Sequence, residues 1–238
     1  WFQHRKRPLS KRRINQLHSW MEEVLLTADL NVFVTQGLIS KYLEHVAPEL
    51  HDQITVAHIQ NGVDMAAAQE SSTTSAFDYD FVHAGNVTNG REEPLEQFLI
   101  GLQSVSPDSS VLLVGKVPIN ILEKFRDMKN LIIRRSVSQN EVFELIRKSR
   151  YALQLNARHV PYLVSTKIYE YPALGRPTLS INYGGEVNDL VRNFNLGHSL
   201  NPDSKSFESD LRTVLSSDPP EVEFPYSFSY ECIARNYL

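Results

Sequence analysis

The residues best placed for chemistry stand between Lys167 and Ile181, where Lys167-Ile168-Tyr169-Glu170-Tyr171-Pro172-Ala173-Leu174-Gly175-Arg176-Pro177 runs into the apolar Thr178-Leu179-Ser180-Ile181. Charged groups at a helix start, a Gly-x-Pro break and then a strand are how an α/β sheet presents polar groups to an anionic ligand at its carboxyl ends. Glu170 can accept from two adjacent hydroxyls, as an acid holds a ribose in dinucleotide sites. Lys167 stands three residues earlier on the same helix face, where it can meet a phosphate or pair locally with Glu170. Ser165 or Thr166 can cap this helix. Gly175 and Pro177 read as structural, one ending the helix and the other leading into the next strand.

A second cluster, Gly85-Asn86-Val87-Thr88-Asn89-Gly90-Arg91, follows an apolar strand and precedes a helix. Glycine there lets a ligand approach the backbone, and free amides of the turn and helix start can hold phosphate. Arg91 can add its planar fork. A Gly/Asn turn with a surface arginine is the plainer alternative.

These clusters need a sheet to carry them. Ile14 to Thr27 has a helical apolar period, Leu30 to Thr35 and Ile54 to Ile59 read as strands, and Leu38 to His45 reads as a helix between them. Residues 66–76, rich in Ala, Gln, Ser and Thr, have no apolar period and are the linker candidate. From Phe77 strands and helices alternate. The strands are 80–85, 110–115, 131–133, 151–155 and 178–181, with a short segment at 196–200. The helices are 94–102, 119–125, 140–148, 166–174, 187–193 and 203–215. The fold expected is α/β, a doubly wound parallel sheet with ligands bound where strands end. The expected division is 14–65 as a remnant of an amino-terminal Rossmann domain, 66–76 as linker, 77–225 as the ligand-binding Rossmann-like domain and 226–238 as a terminal helix.

The chain has 238 residues and a formal charge of −4, so no overall field points to nucleic acid. Its 23 aromatic residues are not interleaved with a basic stripe. Six Arg and Lys within the first 13 residues would suit an anionic membrane surface at about 1 kcal/mol per nearby charge, or form a frayed leader. The single cysteine, Cys232, rules out an intrachain disulfide and fits a reducing compartment. No run is apolar enough for a membrane span, and the histidines lack zinc-site spacing. His83, beside Gly85, reads either as lining the cleft or as a packed imidazole. Trp1 as first residue sets the expectation that the chain begins inside a longer product.

The order of motifs resembles the carboxyl-terminal half of two-Rossmann-domain (GT-B type) retaining glycosyltransferases, close to the family 4-like enzymes of polysaccharide biosynthesis. It rests on Ala28 to Thr35, Ile59-Gln60-Asn61-Gly62-Val63-Asp64, Val82-His83-Ala84-Gly85, Lys167 to Ser180 and Gly184-Gly185-Glu186, over roughly residues 20–238. The resemblance implies donor-binding roles for Gly85, Asn86, Arg91, Val137, Thr166, Lys167, Glu170, Gly184 and Gly185. Gly85 and Arg91 would hold the diphosphate, with Asn86 where the family often has arginine. Glu170 would hold the ribose, and Lys167 the diphosphate or an acidic donor sugar. The amides of Gly184-Gly185 would face the transferred sugar, and the backbone near Val137 would face the nucleobase, although Arg135 and Ser136 replace the family's usual residues there. Tyr162 stands eight residues before Glu170, where the family has the first of its two glutamates and its donor-sugar contact.

The implied activity is retaining transfer of a sugar from a nucleoside-diphosphate donor, UDP- or GDP-linked, to an acceptor hydroxyl, with no cofactor or metal. A glycan or lipid-linked acceptor and the catalytic residues would belong to sequence upstream, leaving this half inactive alone. The implied location is cytoplasmic, with contact at the inner membrane face and a homodimer both left open. A non-catalytic nucleotide-binding or regulatory Rossmann domain is the alternative, and an epimerase of related two-domain architecture is a third reading.

Overall fold

The computed structural model describes residues 9–66 and 77–237, so the basic residues Arg5 to Arg7 and most of the expected linker lie outside the described residues. The chain divides into two compact units, one up to Gln60 and one from Asn61 onward.

In the first unit, α1 (Lys11–Thr27) begins at Ser10, whose side chain accepts from the Arg13 amide and satisfies one free N–H of the first turn. It precedes β1 (Asn31–Phe33), α2 (Gln36–Leu43) and β2 (Val56–His58). The two strands pair in parallel, Val32 opposite Ala57. Leu25, Val46 and Ile54 form a small core, while Val32 and Val56 are exposed.

The second unit carries a six-stranded parallel sheet, ordered β5-β4-β3-β6-β7-β8. Its strands are β3 (Tyr79–Ala84), β4 (Val111–Val114), β5 (Leu131–Arg134), β6 (Ser149–Leu155), β7 (Thr178–Ile181) and β8 (Gly197–Leu200). The helices between them are α3 (Glu92–Val105), α4 (Ile119–Lys124), α5 (Gln139–Arg147), α6 (Lys167–Ala173) and α7 (Glu186–Asn193). After β8 come α8 (Phe207–Ser216), a single 3₁₀ turn (Tyr226–Phe228) and α9 (Tyr230–Tyr237). Residues 226–238 were expected to be one helix. Ser229 instead caps α9 by accepting from the Cys232 amide, and its extended backbone pairs with Val63.

Period-two side-chain alternation buries both sheet faces. Phe81, Leu113, Tyr151, Leu153 and Leu179 pack with Leu95 and Phe98 of α3, Ile121 of α4 and Leu211 of α8. Val82, Ala84, Leu112 and Ala152 pack with Phe143 and Ile146 of α5 and Tyr171 of α6. A third cluster joins Val63, Ile168, Tyr169, Val187, Val191 and Phe228, tying the start of this unit to its end. The strand order is that of a doubly wound dinucleotide-binding sheet, and it reverses direction between β3 and β6. The crevice beyond the carboxyl ends of those two strands is where such sheets bind ligands.

Candidate functional site

A cavity of about 270 Å³ opens at that switch point, lined by His83, Gly85, Asn86, Thr88, Asn89, Arg91, Gln154, Leu155, Ser165 and Lys167. Whole-ligand pockets usually span roughly 300–1,000 Å³, so this one fits a part of a ligand.

Gly85 makes the turn out of β3 with φ +143°, a conformation open to glycine and strained for other residues. The space its missing side chain leaves is taken by Lys167. An ideal Cβ there would stand 3.0 Å from Lys167 Cε and 3.2 Å from Nζ. The lysine arrives from the first residue of α6, and no ion pair within 4.0 Å joins it to Glu170 among the described residues. Burial pulls its pKa below the usual lysine value; Glu170 opposes the shift and Arg91 adds to it. A desolvated ammonium without a carboxylate against it, in a cavity that a second cation also lines, favours a bound anion.

Arg91 is the residue before α3, and its Nη1 lies 3.5 Å from the Thr88 carbonyl. Asn86 lines the cavity, yet its Oδ1 accepts from the Lys116 amide at 3.0 Å, which fastens the turn after β3 to that after β4. Glu170 is half-buried on the first turn of α6, one turn beyond Lys167 and outside the cavity lining. Thr166 immediately precedes that helix.

Gly184 and Gly185 lie in the turn between β7 and α7. The Gly184 amide donates to Asn182 Oδ1 at 2.8 Å, so it already has an acceptor. Gly185 has φ +80°, and a Cβ there would come within 2.3 Å of the Pro161 carbonyl oxygen. Glycine is required there by close approach of the 156–165 loop. Val137, after β5, packs against the cluster of Val82 and Ile146 and does not line the cavity. Tyr162 is likewise not a lining residue.

Sequence reasoning missed Gln154, although one amide inside the apolar run Tyr151 to Leu155 was a readable signal. It also missed Arg158. That guanidinium bonds Glu93 at 2.7 Å and both oxygens of Asp203, and stacks 4.0 Å from the Tyr183 ring centroid. Those contacts tie together the start of α3 and the loops after β6, β7 and β8. The bond to Arg158 also holds the Asp203 carboxyl below its ordinary pKa.

His83 Nδ1 donates to the Leu153 carbonyl at 2.9 Å; because a carbonyl only accepts, Nδ1 carries the proton. Full burial, with Lys167 and Arg91 adding smaller effects in the same direction, lowers its pKa to about 4. The imidazole is therefore neutral at pH 7.

A second cavity of about 490 Å³ lies at the other end of β3, around Tyr79 and Asp80. Its Asp80 carboxylate accepts from the Ser110 amide and hydroxyl at 2.8 and 3.0 Å, a local structural clasp. Among the described residues no group of three or more His, Cys, Asp or Glu could hold a metal ion, and no helix is long and apolar enough to cross a membrane.

No protein-family profile and no curated protein matches this sequence. Solved structures do match in fold. AviGT4, a glycosyltransferase involved in avilamycin A biosynthesis, superposes with a TM-score of 0.64 at 12% identity, over 92% of this chain and 76% of its own. A glycosyltransferase from Rickettsia africae ESF-5 gives 0.63 at 15% identity, over 94% of this chain and 65% of its own. Anabaena HepE, solved in complex with UDP and glucose, gives 0.65 at 13% identity, over 88% of this chain and 59% of its own. The fold is thus Rossmann-like, of the type found in GT-B glycosyltransferases.

Proposed function

We propose that this chain is the donor-binding half of a glycosyltransferase that moves a sugar from a nucleoside-diphosphate donor to an acceptor hydroxyl, with retention at the anomeric carbon. The observation that carries this reading is the cavity at the β3/β6 switch point, where Arg91 and the desolvated Lys167 both belong to the lining and Lys167 closes over the Gly85 turn. Departure of an anionic diphosphate is the hard step, and fixed cations that meet the developing charge contribute most to lowering its barrier. Glu170, one helical turn from Lys167, would hold the ribose diol. The acceptor pocket and the remaining catalytic groups would be supplied by an amino-terminal Rossmann half.

Calorimetric titration with UDP, GDP and a simple monophosphate tests this. One nucleoside diphosphate is expected to bind more tightly than the monophosphate. Equal or absent heats for all three would overturn the donor-site reading. Turnover by this chain without an added half would overturn the division of labour.

A further inference from the structure

Two residues of the cavity lining carry acceptor atoms that a diphosphate oxygen cannot satisfy. His83 Nε2 and Gln154 Oε1 are covered side-chain atoms without hydrogen-bond partners among the described residues, and the two residues are only 2% and 1% exposed. Both residues line the cavity, and Nε2 lies 3.8 Å from the same point above Gly85 that Lys167 Nζ approaches to 3.2 Å. With its proton held on Nδ1 by Leu153, Nε2 presents a lone pair. Gln154 Oε1 is an amide carbonyl oxygen that likewise has no donor among the described residues. Cations for phosphate thus stand beside acceptors that repel phosphate oxygens and want donors.

A ligand matching both halves has anionic oxygens next to hydroxyl groups. We propose that His83 and Gln154 form a hydroxyl-reading subsite that selects an uncharged, hydroxylated donor sugar over one bearing a carboxylate. This rests on the donor-site reading above and narrows its substrate class. Each acceptor left covered without a donor is costly, so a sugar hydroxyl that reaches it gains more than it would at an exposed surface. A carboxylate turned toward the same atoms would place acceptor against acceptor. The Lys167 chain, with its four flexible carbons, lies beside Nε2 and can turn toward the phosphates as the sugar enters.

The test titrates the whole 238-residue chain with UDP, UDP-glucose and UDP-glucuronate, or with GDP, GDP-mannose and GDP-mannuronate if guanosine is the base bound. The neutral sugar nucleotide should bind about tenfold more tightly than the uronate. Gln154→Met, which keeps the length and removes the acceptor, should shrink that ratio to about twofold. An unchanged ratio in Gln154→Met, or tighter binding of the uronate, would overturn this proposal alone. Absence of any nucleoside-diphosphate binding would remove the donor reading and this one together. Nitrogen NMR of the unmodified chain covers the case in which the variant does not fold. The His83 Nε2 resonance should move to a hydrogen-bonded position with the neutral sugar nucleotide and stay unbonded with the nucleoside diphosphate. Identical spectra for the two would overturn the assignment of His83.

Discussion

Acidification should weaken the second unit through a single buried imidazole. His83 falls from its ordinary 6.5 to about 4 on folding, chiefly through desolvation and in smaller part through Lys167 and Arg91; the Leu153 carbonyl opposes the shift. Between those two values the unfolded chain binds a proton that the folded chain does not, so stability drops as pH falls through this window and is fully present above it. Linkage puts the loss between pH 7 and pH 5 at about 2 kcal/mol, with a limit near ~3 kcal/mol below pH 4. Guanidinium titrations followed by near-ultraviolet circular dichroism would read this, because Tyr151, Tyr169 and Tyr171 are buried in the second unit. His198, in the same unit, is lowered in the same sense and adds its own slope, and His45 does so in the first unit. The contrast is therefore between the natural chain and His83→Gln, whose amide can still donate to Leu153 but cannot titrate. The variant should lose about 2 kcal/mol less over the same pH interval. Parallel pH dependences in the two proteins would refute a neutral, desolvated His83 at the cavity floor.

Three further outcomes are expected. Gly85→Ala should destabilise the second unit by about 1–3 kcal/mol, since φ +143° strains any side chain and the new Cβ meets Lys167 at 3.0 Å; displacement of that lysine should also weaken diphosphate affinity, measured by calorimetry. Glu170→Ala should weaken nucleoside-diphosphate binding by about 1–3 kcal/mol with little change in denaturation midpoint, because no ion pair within 4.0 Å joins it to Lys167 among the described residues. Phe98→Ala removes a fully buried ring that meets Phe81 edge to face at 5.1 Å, and should cost about 3–5 kcal/mol in the same guanidinium titrations.

The sequence makes the alternation of strands and helices after Phe77 legible, because parallel strands buried on both faces read as unbroken apolar runs such as Val111 to Val114. It also singled out Gly85, Arg91, Lys167 and Glu170 as the residues with chemistry to offer, since turn glycines and charges beside such runs are local signals. Element ends were less legible. The terminal 226–238 segment carries an apolar period, while the break at Ser229 comes from pairing with Val63, more than 160 positions earlier. The pairing of strands makes β3 and β6 neighbours, and so brings His83 and Gln154, some 70 residues apart, into one cavity with Lys167. In the folded chain Asn86 also holds Lys116, the Gly184 amide is held by Asn182, and Val137 packs away from the cavity. A lone polar residue in an apolar strand has the same sequence signature whether it is satisfied by a neighbour or left facing a cavity. The difference lies in which strand the sheet sets beside it, and that is a property of long-range pairing.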